Sequence, residues 1–251
     1  NGVQLLDDTV RPNFWRAPTN NDEGCAEPFE FAFWKTAGLY ARCDNLTAET
    51  KGDFVTVRAS YTLPNGQMLP VDFTIDGAGR CDITMPWQGE RAEVPEFGLL
   101  FPLRRELTGV SYLGLGPRET TADRTAGGKM GVWSYNVRQD FAQNTPVYPQ
   151  ECGSRTGVYS AALTGSGLNI GIGFGSDRGM TFSALPYTPH ELENARHLYE
   201  LPCDDNKTVV RCALFQRGVG GDNSWGAKPH ADTCFAVEKG MTFAVAIQKQ
   251  E

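Results

Sequence analysis

The protein is a chain of 251 residues with a formal net charge of −7 and 40% hydrophobic residues, enough for one large domain with a sizeable core. The acidic balance and the scattered Lys and Arg residues exclude the phosphate-neutralising surface that nucleic-acid binding needs, and they argue against a membrane-surface patch. No apolar run reaches the roughly 18 residues of a membrane span, so we expect a soluble protein, with cytoplasm and periplasm both left open.

The start of the chain and its cysteines give two further expectations. The chain begins at Asn1 and carries no signal peptide, which predicts a fragment of a longer protein. Its seven Cys residues form no CxxC pair, and an odd number in a large chain is not typical of a disulfide framework. We therefore expect most of them to be small buried hydrophobic residues.

The first half of the chain predicts one short helix and then strands. The helix covers residues 28–37 and ends at Gly38. Residues 54–63 alternate between apolar and polar side chains, the period of two that is typical of a half-buried strand. Turn signals such as Pro-Asn-Gly at residues 64–66 follow such stretches.

The second half continues this pattern. Apolar residues alternate with glycines at 170–174 and with polar residues at 241–247. A second helix is predicted at 190–196, because Thr188 can cap it and Glu191 completes a capping box. Many short strands without long helices predict an all-β antiparallel sandwich or barrel. With no low-complexity linker and no repeat, residues 1–251 are predicted to form one domain.

The segment at residues 11–22 is too polar for a strand and too rich in aromatic residues for a mobile loop. Phe14 and Trp15 can anchor it to a surface, and the guanidinium of Arg16 can hold backbone carbonyls or a carboxylate. We therefore interpret Phe14, Trp15 and Arg16 as structural anchors of a packed loop, with tight turns expected at residues 20–22.

The glycine-rich segment at residues 218–226 contains Trp225. An exposed indole is a flat platform for the apolar face of a sugar, and galactose has one such face. A Trp that fills the core is the other interpretation, and composition leaves both open.

Other combinations of residues carry less chemistry. Residues 112–119 contain Gly-x-Gly without the third glycine or the βαβ context of a nucleotide site, and the following charges indicate an ion-pair cluster of Arg118, Glu119, Asp123 and Arg124. Glu193 and His197 lie four positions apart, which could suit a metal or an acid/base pair, but a structural role is favoured.

Glycoside hydrolysis with retention needs two carboxyl groups about 5 Å apart. The thirty Asp and Glu residues offer no pair that stands out by position or context. No catalytic residue and no metal ligand is therefore predicted in this chain.

Five phrases occur in a fixed order along the chain: FWRAPTNND at 14–22, WKTAG at 34–38, YLGLGPRE at 112–119, YPQECGSR at 148–155 and GVGGDNSWG at 218–226. Together they resemble the C-terminal domain of the lac-type family 2 β-galactosidases. The resemblance covers nearly the whole chain, and five ordered motifs make it specific. It implies a large antiparallel supersandwich, similar in fold to the galactose mutarotases.

The resemblance also implies a function. In that family the domain walls the active site of an enzyme that hydrolyses terminal β-D-galactosides, while the catalytic glutamates and the Mg²⁺ ligands lie in a TIM barrel, which is absent here. By motif, Trp225 is the sugar-stacking residue and Gly38 begins a mobile gating loop. The implied partners are the TIM barrel and other domains of the same chain, with Mg²⁺ and a monovalent cation in a homo-oligomeric parent and no cofactor in this fragment.

Two alternatives come from other functional classes. One is a stand-alone aldose epimerase of the mutarotase type, which needs a His acid and a Glu base across the sugar ring, although the chain has only three His residues. The other is a carbohydrate-binding module with Trp225 as its platform. Interconversion of anomers would indicate the first, and galactose binding by the isolated chain would indicate the second.

Overall fold

The computed structural model describes residues 2–165, 167, 171–203, 206–223 and 226–250. Within them, the strands are β1 (Arg11–Asn13), β2 (Arg42–Lys51), β3 (Phe54–Thr62), β4 (Met68–Ile75), β5 (Cys81–Pro86), β6 (Ala92–Glu93), β7 (Glu96–Arg104), β8 (Leu107–Gly116), β9 (Lys129–Asn136), β10 (Ser154–Gly165), β11 (Gly171–Leu185), β12 (Lys207–Gln216), β13 (Ala236–Val237) and β14 (Thr242–Gln250). The helices are α1 (Asn20–Gly24), α2 (Glu27–Glu30), α3 (Ala32–Ala37), α4 (Val137–Asn144) and α5 (Pro189–Asn194), with 3₁₀ turns at Leu198–Glu200 and Ala231–Thr233.

Twelve of these strands form one antiparallel sheet, in the order β1-β7-β12-β11-β14-β5-β4-β3-β2, with β10, β8 and β9 branching from β11. The long strand β11 is the branch point, because residues 171–175 pair with β14 and residues 181–185 pair with β12. Its other edge pairs with β10. The sheet curls around one hydrophobic cluster to which eight of its strands contribute buried side chains. The predicted all-β antiparallel fold is therefore confirmed.

Strand β7 is buried along nearly its whole length, so its sequence is a continuous apolar run and does not alternate. It pairs with β1 on one side and with β12 on the other. A Cβ at Gly98 would lie 2.1 Å from the carbonyl oxygen of Cys212, so only glycine lets β7 and β12 approach this closely. This strand connects the N-terminal segment to the centre of the fold.

The alternating stretches form strands as predicted. Residues 54–62 are β3, and residues 242–247 of the second predicted stretch lie in β14, where Phe243 and Val245 are buried. Leu63 and Met241, each at one end of a predicted stretch, lie just outside these strands. The turn at residues 63–66 closes through a 2.8 Å hydrogen bond from the Gly66 amide to the Leu63 carbonyl, with Gly66 at φ +85°. Ile170, part of another predicted alternation, lies outside the described residues.

The helices differ in detail from the pattern. The predicted helix at residues 28–37 is two helices, α2 and α3, separated at Phe31, which lies against the Arg217 guanidinium at 5.0 Å. Helix α5 has the predicted Thr188–Glu191 capping box but ends at Asn194. The turns expected at residues 20–22 are helix α1 instead, and α4 was not predicted at all.

None of the seven cysteines, all of which lie among the described residues, forms a disulfide. Only Cys152 and Cys212 are buried, whereas Cys43 and Cys203 are exposed and the other three are partly buried. The expectation that most cysteines are buried hydrophobic residues is therefore wrong. Cys25, Cys203 and Cys234 lie in loops, and Cys43 lies on β2. Strand β2 is an edge strand, with a neighbouring strand on one side only.

Candidate functional site

The segment that follows β1 is fixed to the core by two aromatic side chains. Phe14 is fully buried, and its ring lies 5.3 Å from that of Trp34 and 6.0 Å from that of Phe97. Trp15 is 3% exposed, and its indole Nε1 donates a 2.9 Å hydrogen bond to Glu193. The backbone leaving Trp15 is thus held in one place before Arg16 and the residues after it.

Arg16 connects this segment to the glycine-rich loop at residues 218–226. Its buried guanidinium donates to both carboxylate oxygens of Asp22, at 2.5 and 3.0 Å, and to the Gly218 carbonyl at 2.8 Å. Burial tends to raise the pKa of Asp22, but Arg16 and the Thr19 amide outweigh burial and hold that pKa below its usual value. The charged pair therefore fixes helix α1 and the start of the loop together.

The loop is also held from a third segment. Both the Val219 and the Gly220 amides donate to the same carboxylate oxygen of Asp123, Oδ2, at 2.8 Å each. On the other side the Val219 carbonyl accepts from the hydroxyl of Thr19 at 3.1 Å. Asp123 was predicted only as a member of an ion-pair cluster, and the sequence carries no signal for this contact because the partners are 96 positions apart.

Trp225 itself lies outside the described residues. The described residues end at Asn223 before it and resume at Gly226 after it. A Cβ at Gly221 would lie 2.1 Å from the carbonyl oxygen of Ala227, so the two ends of the loop are in close contact. His230 adds a 2.8 Å contact to Asp222, and this bond raises the pKa of the exposed imidazole.

Two open polar clefts adjoin the base of this loop. The first, called here the Asp222 cleft, has a volume of about 590 Å³, and the second, the Glu119 cleft, has about 460 Å³. Asn21, Arg124 and Val219 line both clefts. Residues from four of the five sequence motifs line these clefts, namely Asn21, Glu119, Glu151 and Val219. The four motifs therefore meet at the base of the loop that carries Trp225.

Two buried carboxylates, Glu96 and Glu151, lie next to this surface, and Glu151 also lines the Glu119 cleft. Arg211 donates to Glu96 at 2.8 Å and also to Glu151, and the Gln216 amide bridges the same two carboxylates at 2.9 and 3.1 Å. Burial raises the pKa of Glu96. Asn13 donates to Glu96 as well, at 2.6 Å. No pattern in the sequence brought these residues together, because they come from four separate segments.

Gly38 lies at the end of α3, beneath the N-terminal segment. A Cβ at Gly38 would lie 2.4 Å from the Pro12 carbonyl oxygen, a distance that no side chain tolerates without movement. A cavity of about 270 Å³ adjoins it, with Leu39 and His190 among the residues of its wall. Beyond it, residues 42–51 form the exposed edge strand β2, which pairs with β3.

The side chains of Glu193 and His197, which were predicted as a possible pair, each contact other residues. Glu193 accepts from Trp15 and, at 2.7 Å, from Lys35, whereas His197 stacks on Tyr199 at 5.2 Å. The two do not form an acid/base or metal pair, since α5 ends at Asn194 between them.

Within the ion-pair cluster predicted near Glu119, the structure pairs Glu119 with Arg124. Arg118 instead makes a long 3.5 Å contact to Asn144. Asp123 instead accepts from the loop amides described above. The cluster is therefore partly present, with Asp123 directed to the loop.

The described residues contain neither a metal-binding group nor a membrane-spanning helix. In that part of the chain, no group of three or more His, Cys, Asp and Glu side chains could hold a metal ion. None of the helices described there is long and apolar enough to cross a membrane.

Comparison with known proteins gives a consistent result. A family model described as "Beta galactosidase small chain" matches residues 1–247. The chain is 38% identical over 241 residues to a β-galactosidase of Lactobacillus delbrueckii subsp. bulgaricus, covering 94% of this chain and 23% of that protein. It is 32% identical over 260 residues to a β-galactosidase small subunit of Latilactobacillus sakei, covering 90% of this chain and 80% of that protein.

The chain thus spans about a quarter of the length of the curated β-galactosidases that it matches. Among solved structures, it is similar to a galactose mutarotase-like protein from Lactobacillus casei, with a TM-score of 0.39 and 10% identity over 82% of this chain and 72% of that one.

Proposed function

This chain belongs to the β-galactosidase small-chain family, and from that membership we propose that it is the C-terminal part of an enzyme that hydrolyses terminal β-D-galactosides. In this proposal residues 1–251 form one domain that walls the active site and presents Trp225 to the substrate sugar. The rest of the parent, including a TIM barrel, supplies the catalytic carboxylates.

The observation that carries the proposal is the meeting of four sequence motifs at the base of the Trp225 loop. Arg16 holds Gly218, Asp123 holds Val219 and Gly220, and the polar Glu119 and Asp222 clefts adjoin this part of the loop. Such convergence of distant segments on one glycine-rich loop is typical of a binding surface supported by a rigid scaffold.

The buried acids support a non-catalytic role for this chain. Glu96 and Glu151 come close enough to share Arg211 and Gln216, but both side chains are buried and their oxygens are occupied. A glycosidase carboxylate must reach the glycosidic oxygen or the anomeric carbon of the substrate. We therefore assign these two acids to the scaffold.

Further parts of the proposal concern the parent enzyme and the remaining site residues. Mg²⁺ and a monovalent cation would be bound by regions outside this chain, and the parent would be a homo-oligomer. Phe14, Trp15 and Arg16 would act as anchors, which their burial supports. The segment after Gly38 would be the gating loop, supported by its place beside a cavity at the end of α3.

The proposal is tested by replacing Trp225 in the full-length parent enzyme. Trp225→Ala should raise KM for a chromogenic β-galactoside roughly 5- to 150-fold, since a lost stacking face is worth about 1–3 kcal/mol by analogy with base stacking. Trp225→Phe, the matched control, keeps an aromatic face and should lose much less. Unchanged KM in Trp225→Ala would exclude the stacking role.

A further inference from the structure

One carboxylate holds the N-terminal side of the Trp225 loop. Oδ2 of Asp123 accepts from two successive backbone amides, those of Val219 and Gly220, at 2.8 Å each, and its Oδ1 accepts from the Thr121 hydroxyl at 2.6 Å. Two consecutive N–H groups converging on one anion form a backbone nest, here filled by the protein's own side chain. Such charge-assisted bonds are roughly twice as strong as neutral ones.

The loop backbone is shaped to receive this carboxylate. A Cβ at Gly218 would lie 3.0 Å from the carboxyl carbon of Asp123 and 2.7 Å from the Thr233 hydroxyl, so a larger residue would push the two segments apart. Gly220 lies beside the same carboxylate, since a Cβ added at Gly220 would lie 3.6 Å from Oδ2 of Asp123. The loop is therefore fixed five residues before Trp225.

Asp123 itself contributes little to the core. It is exposed, and it lies in the connection between β8 and β9, outside the hydrophobic cluster. Its contacts run to the loop and to the neighbouring Thr121. Removing its carboxylate should therefore free the Val219 and Gly220 amides and leave the folded sheet intact, while Arg16 and Thr19 still hold the Gly218 and Val219 carbonyls.

We propose that Asp123 is a positioning residue for substrate binding, because it holds the Trp225 loop in place through the Val219 and Gly220 amides. The inference rests on the proposed function of Trp225 and deepens it. Asp123 touches no substrate in this account and acts only through the loop.

The test measures KM and kcat in the full-length parent enzyme. Asp123→Ala should raise KM for the chromogenic galactoside about tenfold, with kcat changed less than about twofold, because a misplaced binding group loses affinity without losing the reacting groups. Asp123→Asn keeps an amide oxygen for the two N–H groups and can donate to the Thr121 hydroxyl, so it should restore KM to within about threefold of wild type.

Two further variants separate positioning from charge and from folding. Asp123→Glu keeps the charge but moves the carboxyl group by one methylene, so KM should rise. If the Asp123→Ala enzyme does not fold, Asp123→Glu takes its place in the test. Asp53→Ala removes an exposed acid from the turn between β2 and β3 and should change neither constant. Melting temperatures of all variants check the fold.

The double variant decides whether Asp123 acts through Trp225. Adding Asp123→Ala to Trp225→Ala should raise KM no further, because the loop then has no ring to position. The positioning role would be overturned if the KM increases of the two single variants multiplied in the double variant. It would also be overturned if Asp123→Ala left KM unchanged while Trp225→Ala raised it. Either result would leave the proposed function standing. Unchanged KM in Trp225→Ala would overturn both.

Discussion

Replacing Arg211 by Met should destabilise the fold more than any surface change, because it removes the cation that two buried carboxylates share. The Arg211 side chain is 3% exposed, and those of Glu96 and Glu151 are 1% and 2% exposed. Met fills a similar volume without charge, so packing is largely kept and the electrostatic loss is isolated. The expected defect is therefore one of uncompensated buried charge.

The magnitude follows from the arrangement. Breaking a buried ion pair by removing one partner costs about 3–5 kcal/mol, against a total stability of about 5–15 kcal/mol for a typical domain. Two carboxylates lose their cation here, but one of them can take up a proton and share it with the other, which limits the cost. We expect Arg211→Met to lower the free energy of unfolding by about 4 kcal/mol at pH 7.

Glu96→Gln is the matched control. Burial already raises the pKa of Glu96, so its ionisation opposes folding at neutral pH. Removing that charge leaves Arg211 and Glu151 as a one-to-one pair, and the new amide oxygen can still accept from Arg211 and Gln216. Its NH2 group then faces the Asn13 amide, which is also a donor, so the relief of the buried charge is partly offset. We expect a loss below about 1.5 kcal/mol.

Urea unfolding followed by Trp fluorescence, at pH 7 and at pH 5, measures both variants. Without Arg211 the pKa of Glu96 in the folded state rises further above its unfolded value, so the stability of Arg211→Met should increase as the pH falls from 7 to 5. A loss within about 1 kcal/mol in Arg211→Met, or an equal loss in Glu96→Gln, would refute the shared-cation account.

Three other changes test the scaffold. Trp15→Ala should cost about 3–5 kcal/mol in urea unfolding, since the buried indole is removed, and an unchanged melting temperature would exclude its anchoring role. Gly38→Ala should cost about 1–3 kcal/mol, because its Cβ meets the Pro12 carbonyl; calorimetry measures the loss, and a stabilised variant would contradict it. Asp22→Asn should destabilise at pH 7 by about 3 kcal/mol. Arg16 lowers the pKa of Asp22, so wild type loses this contribution as the pH falls below about 4, and the difference in urea unfolding should shrink by pH 3; a constant difference would argue against the pair.

The regular parts of the fold were predictable because they follow local rules. Side-chain alternation located β3 and β14, and the Thr188–Glu191 capping box located α5. Strand β7 does not alternate, since both its faces are buried. The Asn-rich sequence of helix α1 favours turns, whereas in the structure Thr19 caps a helix there.

The candidate site was predictable only in part. Glycine content and the family resemblance pointed to the loop that carries Trp225. The contacts that hold this loop join residues 96 or more positions apart, as Asp123 joins Val219, and local pattern carries no information about them. The same holds for Arg211, whose two carboxylate partners are 115 and 60 positions away.

The most direct test of the central claim compares turnover of a chromogenic β-galactoside by the purified 251-residue chain and by its full-length parent, both produced in a host without β-galactosidase. The account predicts saturable hydrolysis by the parent and none by the chain alone, because the accessible catalytic carboxylates lie outside residues 1–251. Hydrolysis by the purified chain would contradict it, and a parent without β-galactosidase activity would contradict the assignment of the enzyme.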